Sequence, residues 1–264
     1  MDTGTEQLLC DVDDGIALVT FNNPSKRNAL SAEIRRALPG VLRSLQADGD
    51  VRVVVLTGAG GKAFVSGADI SEFGEQRTTP EARAEYDRKA ADAGRAWLEL
   101  EKPIIAMIQG FCIGGGLLTA LQADLRIASD DSQFGVPAAR LGLGYGFGGV
   151  EQLLQLVGPS WASEILFSAR RLTAAEALHC GLVNRVTTVD ALRDEVWSLA
   201  STIRDNAPLT VASLKAAIRE ARRPPEKRDL DRVAAMVEAC FRSDDYKEGQ
   251  AAFLEKRPPR FEGR

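Results

Sequence analysis

Residues 104–149 read IIAMIQGFCIGGGLLTALQADLRIASDDSQFGVPAARLGLGYGFGG, and their first eighteen residues decide the fold. Apart from Gln109 and Thr119, residues 104–121 are apolar, close to the ~18 residues that cross a bilayer as a helix. Gly110, Gly114, Gly115 and Gly116 break that run in its middle. The IIAMI before the glycines is rich in β-branched residues, whereas the LLTAL after them favours helix. A membrane span is therefore rejected. A buried strand over 104–108, a glycine turn and a buried helix over 114–122 are expected instead.

The same alternation extends both ways. A strand over 124–128 follows, and then a second glycine loop, with five glycines in the eight residues 142–149. Upstream, VRVVVLTG (51–58) is a continuous β-branched run of the kind buried on both faces of a parallel sheet. Before it come strands over 8–12 and 16–21, a turn at Asn22 to Ser25, and a helix capped by Ser31 that runs to about residue 47. Leu30, Ile34, Leu38, Leu42 and Leu45 share one face of that helix. After it, GAGGKAFVSGADI (58–70) reads as a loop leading into a short helix, and residues 80–100 form a long amphipathic helix. Thr173 and Glu176 make a capping box, VNRV (183–186) is the last strand, and only helices follow residue 189, broken at 221–228 by ARRPPEKR. This alternation predicts a mostly parallel α/β core over 1–200, with an amphipathic helical region over 201–264 that is either a packing appendage or an oligomer interface. No internal repeat is visible.

The chain has 264 residues, 45% of them hydrophobic and 27% charged, which excludes a disordered or fibrous protein. With 33 basic against 37 acidic residues, the net charge is −4. That field repels phosphate backbones, so nucleic acid is not an expected partner. Cys10, Cys112, Cys180 and Cys240 lie far apart, and His179 is the single histidine. Neither a zinc site nor a serine triad can be assembled from them, and a reduced protein without structural metal is expected. Residues 1–10 lack the basic and apolar regions of a signal peptide, so a cytoplasmic location is expected, with no membrane partner.

SGADI (66–70) and IGGG (113–116) are each expected to end a strand and open a helix. Backbone N–H groups at such turns are unpaired, and glycine lets a ligand approach the backbone. Two of them aimed at one point make an oxyanion hole, which suits an enolate or a tetrahedral oxyanion. Close packing of helix on strand accounts for a GGG triplet equally well.

The stretch 104–149 resembles the central signature of the enoyl-CoA hydratase/isomerase, or crotonase, superfamily. NPSKRNALS (23–31), VVLTGAGGKAFVSGADI (54–70), ARRLTAAEALHCGLVNRV (169–186) and YKEGQAAFLEKR (246–257) fit the same pattern in order. The resemblance implies a spiral of ββα units with a C-terminal helical trimerisation region, assembled as a homotrimer or a dimer of trimers. It also implies an acyl-CoA thioester substrate, with coenzyme A part of that substrate and no further cofactor. Carried over by position, the backbone N–H groups of Ala68 and Gly115 would grip the thioester carbonyl. Asp69, Ile70, Gly114, Leu118 and Ala138 would line the substrate. Lys26 and Arg27 would approach the CoA nucleotide, and Phe253 and Lys256 would reach it from a neighbouring subunit.

The sequence departs from this pattern where proton transfer is needed. Hydratases of the superfamily carry one glutamate in the helix after the glycines and a second just after the FGxP turn; here these positions are Leu118 and Ala138. The acidic residue of the dienoyl isomerase branch corresponds to Gly146. Tyr145 and Glu151 are the remaining candidates for a proton donor or acceptor, although a tyrosine there also suits a packed wall with a satisfied hydroxyl. Glu151 and Asp69 also suit the acidic preference of helix N-termini. Cys112 reads as core, and His179 as a packing or capping contact at a helix end. The expected function is an acyl-CoA enzyme that is not a standard crotonyl-CoA hydratase; the rival is a non-catalytic acyl-CoA-binding or structural subunit.

Overall fold

A computed structural model describes residues 1–69 and 79–264. β1 (Leu8–Asp13) and β2 (Ile16–Phe21) form an antiparallel pair, and Ser31 caps α1 (Ala32–Ala47) by accepting the Ile34 N–H. The predicted face of α1 is the buried one, with Ile34, Leu38, Leu42 and Leu45 in the core.

Three ββα turns follow. In the first, β3 (Val53–Gly58) leads to β4 (Ala63–Val65) and then, past the undescribed residues, to α2 (Pro80–Glu99). β5 (Ile104–Ile108), β6 (Phe111–Ile113) and α3 (Gly115–Leu121) make the second. The third consists of β7 (Leu125–Ser129), β8 (Gln133–Gly135), a 3-10 turn over Pro137–Leu141 and α4 (Phe147–Ser168), which kinks at Gly158 before Pro159. The first strand of each turn joins a six-stranded sheet, and the second strand joins a smaller one. The larger sheet runs β1-β2-β3-β5-β7-β10, parallel beyond β2, and ends on β10 (Arg185–Thr187). The smaller runs β4-β6-β8-β9, closed by the antiparallel β9 (Leu172–Thr173). The chain thus has the crotonase-like spiral of ββα units.

This second sheet corrects the sequence reading. Residues 58–70 and 109–113 are expected there as loop and turn, yet each holds a strand. β4, β6 and β8 have three residues apiece, too few for alternation to show, and glycines flank them. The repeat is one of structure, spread over units of unequal length.

One face of the large sheet packs on α1 and the small sheet, with Phe21, Phe64 and Phe134 fully buried. The other face is covered by α6 (Leu192–Arg204), whose Leu192, Val196 and Ala200 meet Val53, Val55, Ile105 and Ile127. Between them lies α5 (Ala174–His179), whose N-terminus carries the expected Thr173–Glu176 capping box.

α7 (Pro208–Ala221) is fastened to the core by two cations. Buried Lys215 donates to the Lys102 carbonyl and to Asp124 Oδ2, each at 2.7 Å, and burial pulls its pKa down to about 8. Arg219 donates to the carbonyls of Trp97, Leu98 and Leu100, satisfying the end of α2. Beyond this anchor, α8 (Leu230–Arg242) buries no residue, although it is amphipathic, and α9 (Asp244–Glu255) leaves Phe253 and Leu254 more than 80% exposed. No described helix is long and apolar enough to cross a membrane.

Candidate active site

The two glycine turns meet because the small sheet is parallel: β4 delivers Ser66, Gly67 and Ala68 beside the turn that β6 delivers at Gly114 and Gly115. Gly67 has φ +118, and a Cβ on it would stand 3.3 Å from the Ile113 carbonyl oxygen and 4.0 Å from Gly115 N. A Cβ on Gly115 would stand 3.4 Å from Ala68 N. The two turns are thus in contact.

Each glycine of the triplet has its own reason. Gly114 adopts φ +55 and ψ −115, a conformation L side chains rarely enter, and its N–H donates to the Gly135 carbonyl at 2.7 Å. Gly115 opens α3 at the contact with Ala68. Gly116 abuts β4, since a Cβ there would lie 1.9 Å from the Val65 carbonyl oxygen. Close packing and an open backbone are therefore both present, on neighbouring residues.

Ala68 is held from the other side by residues 26–30. Leu30 N–H donates to the Gly67 carbonyl and Asp69 N–H to the Leu30 carbonyl, so Leu30 and Ala68 form a parallel bridge. In that register the Ala68 N–H points away from the bridge. Neither it nor the Gly115 N–H is taken by a protein acceptor among the described residues, and both residues are partly exposed.

The anchor of residues 26–30 is Asn28, a residue that sequence reasoning missed. Fully buried at φ +57, it donates to the carbonyls of Ala59 and Ala63 and accepts from Asn23 N–H. Its signal in the sequence was only an asparagine among turn residues, the type that best tolerates a left-handed backbone.

Lys26 Nζ lies 2.7 Å from Asp69 Oδ2, and the Asp69 side chain is buried while Lys26 is half exposed. Asp69 is therefore an ion-pair partner that ties the two loops together, and the short helix expected to open there lies outside the described residues. Arg27 lies over the Phe111 ring at 5.2 Å, and Arg171 stands 5.0 Å from the same ring. This places both guanidiniums at the start of β6. Ile70 lies outside the described residues.

Leu118 follows Gly115 by one helical turn, and its N–H donates to the Gly114 carbonyl. Buried Ala138 sits in the 3-10 turn after β8, and its carbonyl accepts the Leu143 N–H, which brings the second glycine loop over it. Leu118, Leu143 and Tyr145 each pack against the core that contains Ala138. At Gly149, a Cβ would meet Leu118 Cδ2 at 2.8 Å and Tyr145 Cε1 at 3.0 Å, so the tyrosine ring and Leu118 converge there.

The expected satisfied hydroxyl on Tyr145 is corrected: its oxygen is buried and has no hydrogen-bond partner among the described residues. Burial also pushes the phenol's pKa up, so the group stays protonated. Glu151 is the fifth residue of α4, partly buried and just past the first turn, where a carboxylate gains less from the helix dipole than the sequence reading assumed. Cys112 is fully buried, with its thiol pKa raised by desolvation, and His179 packs edge-on to Trp161 at 6.0 Å. Both match the core and packing roles expected of them. Phe253 and Lys256 stand at the end of α9, on the exposed helical end of the chain.

The chain is similar to known proteins along almost its whole length. Residues 11–264 match the family described as enoyl-CoA hydratase/isomerase. The chain is 39% identical to a short-chain-enoyl-CoA hydratase of Clostridium acetobutylicum over 92% of each protein. It is 36% identical to a crotonyl-CoA hydratase of Syntrophomonas wolfei over 97% of this chain and 98% of that one. An enoyl-CoA hydratase/isomerase family protein from Hyphomonas neptunium superposes over the full length of both chains with TM-score 0.92 at 35% identity. With the fold, the paired glycine turns and a match across almost its whole length, this chain belongs to the enoyl-CoA hydratase/isomerase family.

Proposed function

We propose that the protein binds an acyl-CoA thioester and stabilises an enolate or tetrahedral oxyanion with the backbone N–H groups of Ala68 and Gly115. The observation that carries this reading is the contact between two turns whose N–H groups at these residues have no protein acceptor among the described residues. Donors already in place at a developing charge need no reorganisation during reaction, which is why such pairs act strongly in catalysis. Lys26 and Arg27 suit the CoA phosphates, and Asp69, Ile70, Gly114, Leu118 and Ala138 would surround the acyl thioester. Because Leu118 and Ala138 cannot carry protons, ordinary crotonyl-CoA hydration is not the main reaction; Tyr145 and Glu151 are the polar groups that remain. No cofactor beyond the coenzyme A of the substrate is required.

Calorimetric titration with a saturated acyl-CoA is expected to show binding, and the free acid should bind far more weakly. Equal affinity for the two, or no binding of the ester, would sink the assignment.

Residues 201–264 are the proposed oligomerisation region of a homotrimer or dimer of trimers. Supporting this, Leu230, Val237 and Phe241 of α8 and Phe253 and Leu254 of α9 are exposed in the single chain, and such a surface suits burial on sister subunits. Phe253 and Lys256 would then meet CoA in a neighbouring subunit. Light scattering at micromolar concentration should report an oligomer, and a monomer there would rule this assembly out.

A further inference from the structure

Tyr145 holds the one buried side-chain polar atom that lacks a hydrogen-bond partner among the described residues. Leaving such a group unmet costs roughly 1–3 kcal/mol, and phenylalanine would fill the same ring volume without that cost. No described residue supplies it an acceptor, and the neighbour that meets its ring across Gly149 is the apolar Leu118. Nor can the phenol escape by ionising, because its burial favours the neutral form. A neutral phenol in an apolar wall is a hydrogen-bond donor waiting for an oxygen.

The location indicates which oxygen. The ring meets Leu118 across Gly149, and Leu118 stands one turn, about 5 Å, along α3 from Gly115. If Gly115 holds the thioester carbonyl, the wall made by Leu118 and Tyr145 faces the next few atoms of the acyl chain and lies away from the nucleotide. The loop that carries Tyr145 has five glycines over 142–149 and is largely exposed, so it can yield to admit a ligand atom at the hydroxyl.

We infer that the Tyr145 hydroxyl donates a hydrogen bond to an oxygen near C3 of the acyl group, so that the preferred ligands are oxygenated short acyl-CoA esters and not plain alkyl or enoyl ones. This rests on the acyl-CoA reading above and adds the class of acyl group. A site that presents a buried donor discriminates against an analogue lacking the acceptor, because the donor is then left unpaired.

The test compares two four-carbon esters, acetoacetyl-CoA and butyryl-CoA, by calorimetric titration of the wild type and of Tyr145→Phe, which keeps the ring against Gly149 and Leu118. The wild type should bind acetoacetyl-CoA about tenfold or more tighter than butyryl-CoA, and in Tyr145→Phe that ratio should collapse to about one. 3-Hydroxybutyryl-CoA and malonyl-CoA, titrated alongside, distinguish a keto, a hydroxyl and a carboxylate oxygen as the acceptor. Equal binding of the two four-carbon esters by the wild type, or a ratio unchanged in Tyr145→Phe, overturns the inference while leaving the acyl-CoA reading standing. Failure of every ester to bind would overturn both.

Discussion

Wild-type protein is expected to turn over crotonyl-CoA far below the roughly 10 per second typical of enzymes. A positioned acid or base contributes about 10²- to 10⁴-fold each. Leu118 in α3 and Ala138 in the 3-10 turn after β8 are both apolar, and on the proposed reading theirs are the positions that would supply these groups. On the proposed reading, what remains is thioester polarisation by the N–H groups of Ala68 and Gly115. Following the loss of enoyl thioester absorbance measures this directly. Leu118→Glu with Ala138→Glu should raise the rate by at least about 10²-fold over wild type. The gain is bounded by stability, because Ala138 is 9% exposed and burying a carboxyl among apolar groups is costly; a melting curve for the double variant separates misfolding from inactivity. A wild type that already hydrates crotonyl-CoA at about 10 per second or faster would show that Leu118 and Ala138 do not disable hydration.

The second large effect concerns two helical glycines with opposite fates. Gly116→Ala should lower the melting temperature on the order of 10 °C, from overpacking at or above the roughly 1–3 kcal/mol range. The added methyl meets backbone, the Val65 carbonyl oxygen at 1.9 Å and its carbon at 2.7 Å. It cannot be relieved by a side-chain rotation, so α3 must part from β4. Because β4 leads into Ser66, Gly67 and Ala68, acyl-CoA affinity should fall with stability. Gly40→Ala in α1 has nothing within 4 Å of its new methyl and should be neutral or stabilising by up to about 1 kcal/mol, through helix propensity alone. Thermal melts of the two variants in parallel check the pair. Similar small shifts in both would mean that the triplet does not set the spacing of helix and strand.

Much of the scaffold is determined by local sequence. The leucine face of α1 and its Ser31 cap, the β-branched runs of β3 and β5, and the Thr173–Glu176 capping box each depend on neighbours within a few residues. Their physics is therefore written in periodicity and capping chemistry. The positions of the two glycine turns are local for the same reason.

What only the tertiary structure decides are partnerships across distance. The small sheet exists because strands of three residues find one another across the ββα units; none has enough length to announce itself. Lys26 and Asp69 are 43 residues apart, and Lys215 and Asp124 are 91 apart, so no local pattern could reveal that either carboxylate is a structural ion-pair partner. The split of roles within GGG, with Gly114 for backbone conformation and Gly116 for contact with Val65, needs the position of β4. Tyr145 shows the limit most sharply. A tyrosine in a glycine loop has the same letters around it whether its hydroxyl meets water, a carbonyl or nothing, and only the folded chain shows that this oxygen is buried without a partner among the described residues.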